Sequence, residues 1–103
     1  MKLEDINIRD PFVLNDDGVY YLYGTRAKDF GCHTDGFDVY TSKDLINWSE
    51  PKQCFNSDKY GLNKEVNWAP EVHKYRGDYY MIATFTQENG LRGSYIRSIC
   101  AVQ

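Results

Sequence analysis

Asp10 and Glu71 are the two carboxylates of this chain that we consider for acid–base chemistry. An ionised carboxylate can accept a proton from an attacking water, while a protonated carboxyl group can donate one to a leaving group. Asp10 also has a structural explanation, because Asp commonly caps a turn of the kind that Asp10-Pro11 would begin. From the residues alone, Asp10 is therefore a candidate for acid–base chemistry, and turn capping is the alternative.

The stretch that carries Asp10 occurs twice in the sequence. Within the stretch from Ile8 to Thr25, the residues from Arg9 onward are matched, 59 positions later and without a gap, by the segment from Trp68 to Thr84. Asp10 is a charged position that differs in kind, since it falls on Ala69. A repeat of roughly this period is typical of arrays and propellers. The difference at Asp10 is where we place the chemistry.

Short runs of β-branched and aromatic residues, separated by turn signals, predict strands along the whole chain. Asp17-Gly18 is a strong hairpin signal, and a second turn is predicted from Tyr75 to Asp78. Asp10 should be extended, because the residue before a proline is pushed out of the helical region. The predicted strands cover residues 12–14, 19–23, 37–41, 48–51, 71–74, 79–85 and 94–102.

These elements predict an all-β chain that forms a partial β-propeller of about two four-stranded antiparallel blades, related by the internal repeat of 59 residues. Blade one covers about 8–55, a connector about 56–66, and an incomplete blade two about 67–103. A closed propeller needs roughly four to eight blades. Two blades leave exposed edge strands, whose unpaired backbone N–H and C=O groups can pair with another chain. We therefore expect either part of a larger protein or a homo-oligomer that assembles through those edges.

Charge and hydropathy exclude several classes of protein. The net charge is −3 and no basic cluster is present, so we expect no nucleic-acid partner. No apolar run is long enough for a membrane span or for the apolar core of a signal peptide. The chain as written is expected in the cytoplasm, with a secreted parent protein left open.

Cysteine and histidine give no indication of a metal or a nucleophile. The three cysteines, Cys32, Cys54 and Cys100, form no C-x-x-C pair, which favours free thiols in a reducing compartment. His33 and His73 lack the spacing of metal ligands. From these residues we expect no metal site and no cofactor.

Four segments in order resemble glycoside hydrolase family 43. They are IRDPF at 8–12, DGVYY at 17–21, YTSKDLINW at 40–48 and WAPEV at 68–72. The resemblance extends from Ile8 to Ser98. It implies part of a five-bladed β-propeller enzyme that acts on arabinose- and xylose-containing plant polysaccharides.

The resemblance also implies roles for individual residues. Asp10 sits where the family keeps its general base, and Trp68 would line the sugar pocket, with inter-blade packing as its alternative. Glu71 would be a pocket wall or a hydrogen-bonding group of a subsite, against a solvated or ion-paired side chain. Phe30 would close over the substrate. The general acid and a pKa-modulating aspartate would lie beyond Gln103, and a calcium ion on the propeller axis is implied by the family alone.

Three hypotheses for the function follow. The first is an inverting glycosidase, or a portion of one, that hydrolyses arabinosyl or xylosyl linkages with Asp10 as base and a carbohydrate as substrate. Such an enzyme needs a second carboxyl group, and here further blades or other copies would have to supply it. The alternatives are a carbohydrate-binding or purely structural module, and an inert fragment.

Overall fold

The computed structural model describes residues 1–27, 36–56, 62–87 and 92–99. The chain folds into a 3₁₀ helix (Leu3–Asp5) and the strands β1 (Ile8–Asp16), β2 (Val19–Arg26), β3 (Gly36–Ser42), β4 (Lys52–Asn56), β5 (Leu62–Tyr75), β6 (Asp78–Gln87) and β7 (Arg92–Ile99). The first sheet has the order β1-β2-β3-β4 and the second β5-β6-β7, with antiparallel pairing throughout. The all-β prediction is confirmed. No helix within the described ranges is long and apolar enough to cross a membrane.

Each sheet begins with a tight hairpin. Asp17 and Gly18 join β1 to β2 with φ of 53° and 80°, and Arg76 and Gly77 join β5 to β6 with φ of 51° and 84°. Two consecutive residues with positive φ give the turn twist that matches the flanking strands. The two turns predicted from sequence are confirmed.

The predicted fourth strand at 48–51 is wrong. The backbone of Trp48 instead pairs with the N-terminus: its N–H donates to the Met1 carbonyl at 2.8 Å, and its carbonyl accepts from the Met1 ammonium at 2.6 Å. The strand that completes the first sheet is β4, where Phe55 lies opposite Phe37 of β3. β4 ends at Asn56 and β5 begins at Leu62.

The main core lies between the two sheets. Side chains of β2, β3 and β4 on one face of the first sheet meet side chains of β5 and β6. The buried members are Tyr21, Tyr23, Phe37, Val39, Phe55, Val72, Met81 and Ala83. Because both sheets contribute to one cluster, each covers apolar surface that the other would expose to water.

A smaller cluster covers the opposite face of the first sheet. Leu22, Tyr40 and Trp48 are buried there, and Met1, Ile6 and Ile8 pack against them. The side chain of Lys2 also donates to the Asn47 side chain at 2.8 Å. The N-terminal segment thus covers the outer face of the first sheet.

Polar contacts join the sheets beside the first hairpin. Asp16, at the end of β1, accepts a hydrogen bond from the Tyr79 hydroxyl and lies 3.2 Å from the Lys74 ammonium. The hydrogen bond from Tyr79 holds the pKa of Asp16 below its ordinary value, Lys74 adds to this, and partial burial opposes it. The same contact raises the pKa of Lys74. A cavity of about 260 Å³ opens beside these three residues.

Candidate functional site

Asp10 lies at a bulge in β1. Arg9 pairs with Thr25 and Phe12 with Tyr23, so Asp10 and Pro11 together oppose one residue of β2. The φ of Asp10 is 51°, in the left-handed region, and not extended as predicted. The extra residue of a bulge forces an unusual backbone angle, and Asp tolerates the left-handed region better than most residues. β1 is an edge strand of its sheet, which is where a proline is accommodated.

Gly24 is the residue that faces this bulge. A Cβ atom at Gly24 would lie 2.6 Å from Ile8 Cδ1 and 2.9 Å from the Arg9 carbonyl oxygen. Both distances are well inside ordinary contact, which is about 3.5–4.0 Å between carbon atoms. The bulged strand can therefore approach β2 this closely only because residue 24 has no side chain.

Thr25 holds the Asp10 carboxylate. Its hydroxyl donates to Asp10 Oδ2 at 3.0 Å. Thr25 is only 3% exposed, whereas Asp10 is exposed to solvent. A buried hydroxyl thus orients a carboxylate that water and a ligand can reach. Gly24 and Thr25 were not predicted as site residues, although Thr25 is the repeat counterpart of Thr84.

The second sheet contributes the matching bulge at Ala69. Trp68 pairs with Thr84 and Glu71 with Ile82, and Ala69 has a φ of 52°. The Ala69 N–H donates to the Thr25 hydroxyl oxygen at 2.6 Å. This bond brings the backbone next to Trp68 to the Asp10 site. The Trp68 side chain itself is half-buried.

Glu71 lies beside His73. Its Oε1 is 3.2 Å from His73 Nε2, and both side chains are 54% exposed. The His73 ring packs against Phe12 of β1, with the ring centroids 5.3 Å apart. Glu71 is therefore near β1, but its described contact is with His73 and not with Asp10. Its predicted part in a sugar site stays a prediction.

An ion pair fixes the end of β2 beside Thr25. The Arg26 guanidinium donates to both carboxylate oxygens of Asp38 in β3, at 3.0 Å from Nε and 2.6 Å from Nη2. Such two-point pairing holds both side chains in one geometry. Beyond Arg26 and Ala27 the predicted lid residue, Phe30, lies outside the described residues.

Within 1–27, 36–56, 62–87 and 92–99, no three His, Cys, Asp or Glu side chains come together as a set of ligands. The calcium ion that the family resemblance implies stays a prediction, and no chemical step is assigned to it. Burial raises the pKa of the Cys54 thiol to about 12, so this free cysteine is protonated at neutral pH.

Several solved structures are similar to this chain in sequence and in fold. The chain is 33% identical to a thermostable family-43 glycoside hydrolase (TM-score 0.74), covering 94% of this chain and 30% of that one. It is 31% identical to the endo-arabinase from Bacteroides thetaiotaomicron VPI-5482 (TM-score 0.77), covering 95% of this chain and 33% of that one.

A third solved structure agrees in fold alone. A β-xylosidase/α-arabinofuranosidase from a compost microbial metagenome, in complex with xylotriose, is 16% identical, with a TM-score of 0.74 over 95% of this chain and 32% of that one. The chain thus spans about a third of the length of these structures. The search among functionally curated proteins gave no match.

The family model for Glycosyl hydrolases family 43 matches residues 5–99, which is nearly the whole chain. The matched range contains both bulges, both hairpins and the Thr25 contacts described above. The chain belongs to glycosyl hydrolase family 43.

Proposed function

We propose that this chain supplies the general base, Asp10, of an inverting glycoside hydrolase that acts on arabinosyl or xylosyl linkages. The observation that carries the proposal is the exposed Asp10 carboxylate, held at a bulge by a buried hydroxyl where the second sheet has Ala69. Family membership supports the reaction class. The printed names of the structural neighbours, an endo-arabinase and a β-xylosidase/α-arabinofuranosidase, support the substrate class.

In this mechanism Asp10 acts on water. The ionised carboxylate accepts a proton from the water that attacks the anomeric carbon, while the bond from that carbon to the leaving oxygen breaks. A protonated carboxyl group, roughly 6.5–9.5 Å from the base in inverting enzymes, donates its proton to the leaving oxygen. Glu71 is exposed and engaged by His73, so we assign the acid to a group outside the described residues.

Trp68, Glu71 and Phe30 are proposed to contact the sugar. An indole face packs well against the apolar face of a sugar ring. Trp68 is half-buried, and the residue after it, Ala69, is hydrogen-bonded to Thr25 of the first sheet. Glu71 would offer hydrogen-bond acceptors to sugar hydroxyls. Phe30 would cover the bound sugar.

We further propose that the two sheets are two blades of a propeller, related by the 59-residue repeat. Matching backbone angles support this: positive φ recurs at Asp10 and Ala69, at Asp17 and Arg76, and at Gly18 and Gly77. The second sheet has three strands among the described residues, one fewer than the first. Further blades or other copies of the chain, joined through exposed blade edges, would complete the propeller.

The test joins size and activity on one sample. The chain is passed over a size-exclusion column with light scattering, and the peak is assayed with nitrophenyl arabinofuranoside and nitrophenyl xyloside. We expect a discrete oligomer that releases nitrophenol from at least one substrate and gives a product of inverted anomeric configuration by NMR. A monomer without turnover would contradict the self-assembled enzyme. Sugar binding without turnover would favour a carbohydrate-binding module.

A further inference from the structure

We infer that Thr25 is a positioning residue: its hydroxyl fixes one oxygen of Asp10 and couples that carboxylate to the second sheet through the Ala69 N–H. The inference rests on the proposed role of Asp10. It adds a residue that belongs to neither the predicted base nor the predicted sugar contacts.

The direction of the hydrogen bonds follows from the donors present. A backbone N–H can only donate, so the Thr25 oxygen must accept from Ala69, 2.6 Å away. The hydroxyl has one proton, which is then available for Asp10 Oδ2 at 3.0 Å. The result is a directed chain from the Ala69 N–H through the Thr25 hydroxyl to the carboxylate. Each bond in such a chain polarises the next.

Burial makes Thr25 a firm anchor. It is 3% exposed, and its branched Cβ restricts rotation about χ1. The Asp10 side chain, in contrast, is exposed and extends from a bulge. Fixing Oδ2 leaves Oδ1 to accept the proton of the attacking water. The hydroxyl thereby reduces the rotational freedom that the base would otherwise have to lose at the moment of reaction.

The contact also joins two sheets. Asp10 and Thr25 belong to the first sheet, and Ala69, which follows Trp68, belongs to the second. A shift of β5 relative to β2 would break the bond to Thr25 and loosen the carboxylate. The geometry of the base thus depends on how the sheets pack, and not on β1 alone.

Thr84 provides the matched control. It lies opposite Trp68 in the second sheet as Thr25 lies opposite Arg9 in the first. The bulge beside Thr84 carries the methyl group of Ala69, and that beside Thr25 carries the Asp10 carboxylate. Thr25→Val and Thr84→Val each remove one hydroxyl, at corresponding positions of the two sheets, and keep the shape of the side chain.

The first arm of the experiment needs no turnover. NMR of the full chain follows the Asp10 carboxyl carbon and the hydrogen exchange of the Ala69 amide in Thr25→Val, Thr25→Ser and Thr84→Val. We expect Thr25→Val to move the Asp10 resonance and to speed Ala69 exchange about tenfold, the loss of one hydrogen bond. Thr25→Ser should retain both signals, and Thr84→Val should leave them unchanged.

The second arm measures hydrolysis of the nitrophenyl substrate. We expect Thr25→Val to lower kcat about tenfold and to leave KM unchanged. Thr25→Ser should keep the wild-type kcat. In an Asp10→Asn background, Thr25→Val should have no further effect on kcat. If Thr25→Val behaves like Thr84→Val in both arms, the inference about Thr25 is wrong and the role of Asp10 stands. If Asp10→Asn keeps full turnover, or the wild type has none, the proposed function fails and the NMR arm alone decides the Thr25 contact.

A further variant covers the case in which Thr25→Val does not fold. Asp10→Ala removes the acceptor and leaves Thr25 in place. We expect the Ala69 amide resonance to shift, because the hydroxyl to which it donates has lost its own partner. An Ala69 resonance that stays in place would overturn the coupling between the sheets.

Discussion

At the scale of single residues, the carboxylate of Asp10 depends on two neighbours that carry no charge. Gly24 lets the bulged strand approach, and Thr25 orients the carboxylate once the bulge has formed. The repeat in the sequence identified Asp10 because Ala69 stands at the matching position. The local pattern could not predict the left-handed backbone there, because a proline alone favours an extended residue before it. The bulge arises only from pairing with β2.

A methyl group at residue 24 should disturb this site. In Gly24→Ala the new Cβ would meet Ile8 and the Arg9 carbonyl, so part of the backbone must move. We expect a loss of about 1–3 kcal/mol in the free energy of unfolding, measured by urea titration. Val13→Ala, an exposed change on the same hairpin, is the control and should cost about 0.5 kcal/mol or less. Equal midpoints for the two variants would argue against the close approach.

The ion pair of Asp16 should make stability depend on pH. The pKa of Asp16 in the folded chain lies below its ordinary value of 3.8. The ionised carboxylate therefore stabilises the fold above pH 3.8, and this stabilisation is lost as the pH falls through the pKa of the folded chain. We expect wild type to be more stable than Asp16→Asn at neutral pH, and the difference to shrink in acid. Urea midpoints across this range measure it. A difference that is independent of pH would show that the charge of Asp16 is not involved.

At the scale of elements, local signals were good predictors and long-range contacts were not. The hairpin turns at Asp17-Gly18 and around Arg76-Gly77 were predictable because the turn residues themselves set the backbone. The position of β4 was not, because Trp48 pairs with Met1, which is 47 residues away in the chain. Nothing near Trp48 in the sequence indicates that partner. The same reason hid Thr25, whose two partners come from β1 and from the second sheet.

The packing of β6 on the first sheet should contribute strongly to stability. Met81 is fully buried between the sheets, while its neighbour Ile82 points away and is 37% exposed. We expect Met81→Ala to lower the free energy of unfolding by about 2–5 kcal/mol and Ile82→Ala by much less. Thermal or urea unfolding of both variants makes the comparison. Similar losses at both positions would contradict the assigned faces of β6.

At the scale of the whole molecule, an apolar core and a chain of two hydrogen bonds each connect the two sheets. The apolar cluster joins β2, β3 and β4 to β5 and β6, and Thr25 joins the bulges of the two sheets. The repeat in the sequence predicted two similar units, but it could not show which faces meet. The proposed base therefore lies at the junction of the sheets, where further blades would add the remaining groups of the proposed site.

The most direct test of this account compares two substitutions of the same kind. Asp10→Asn and Asp17→Asn each replace an exposed aspartate at left-handed φ, 51° and 53°, on the same hairpin, and Asn suits that backbone. Hydrolysis of the nitrophenyl sugars should fall on the order of 10²–10⁴-fold in Asp10→Asn and stay at the wild-type rate in Asp17→Asn. Equal rates in the two variants, or no hydrolysis by the wild type, would contradict Asp10 as the general base.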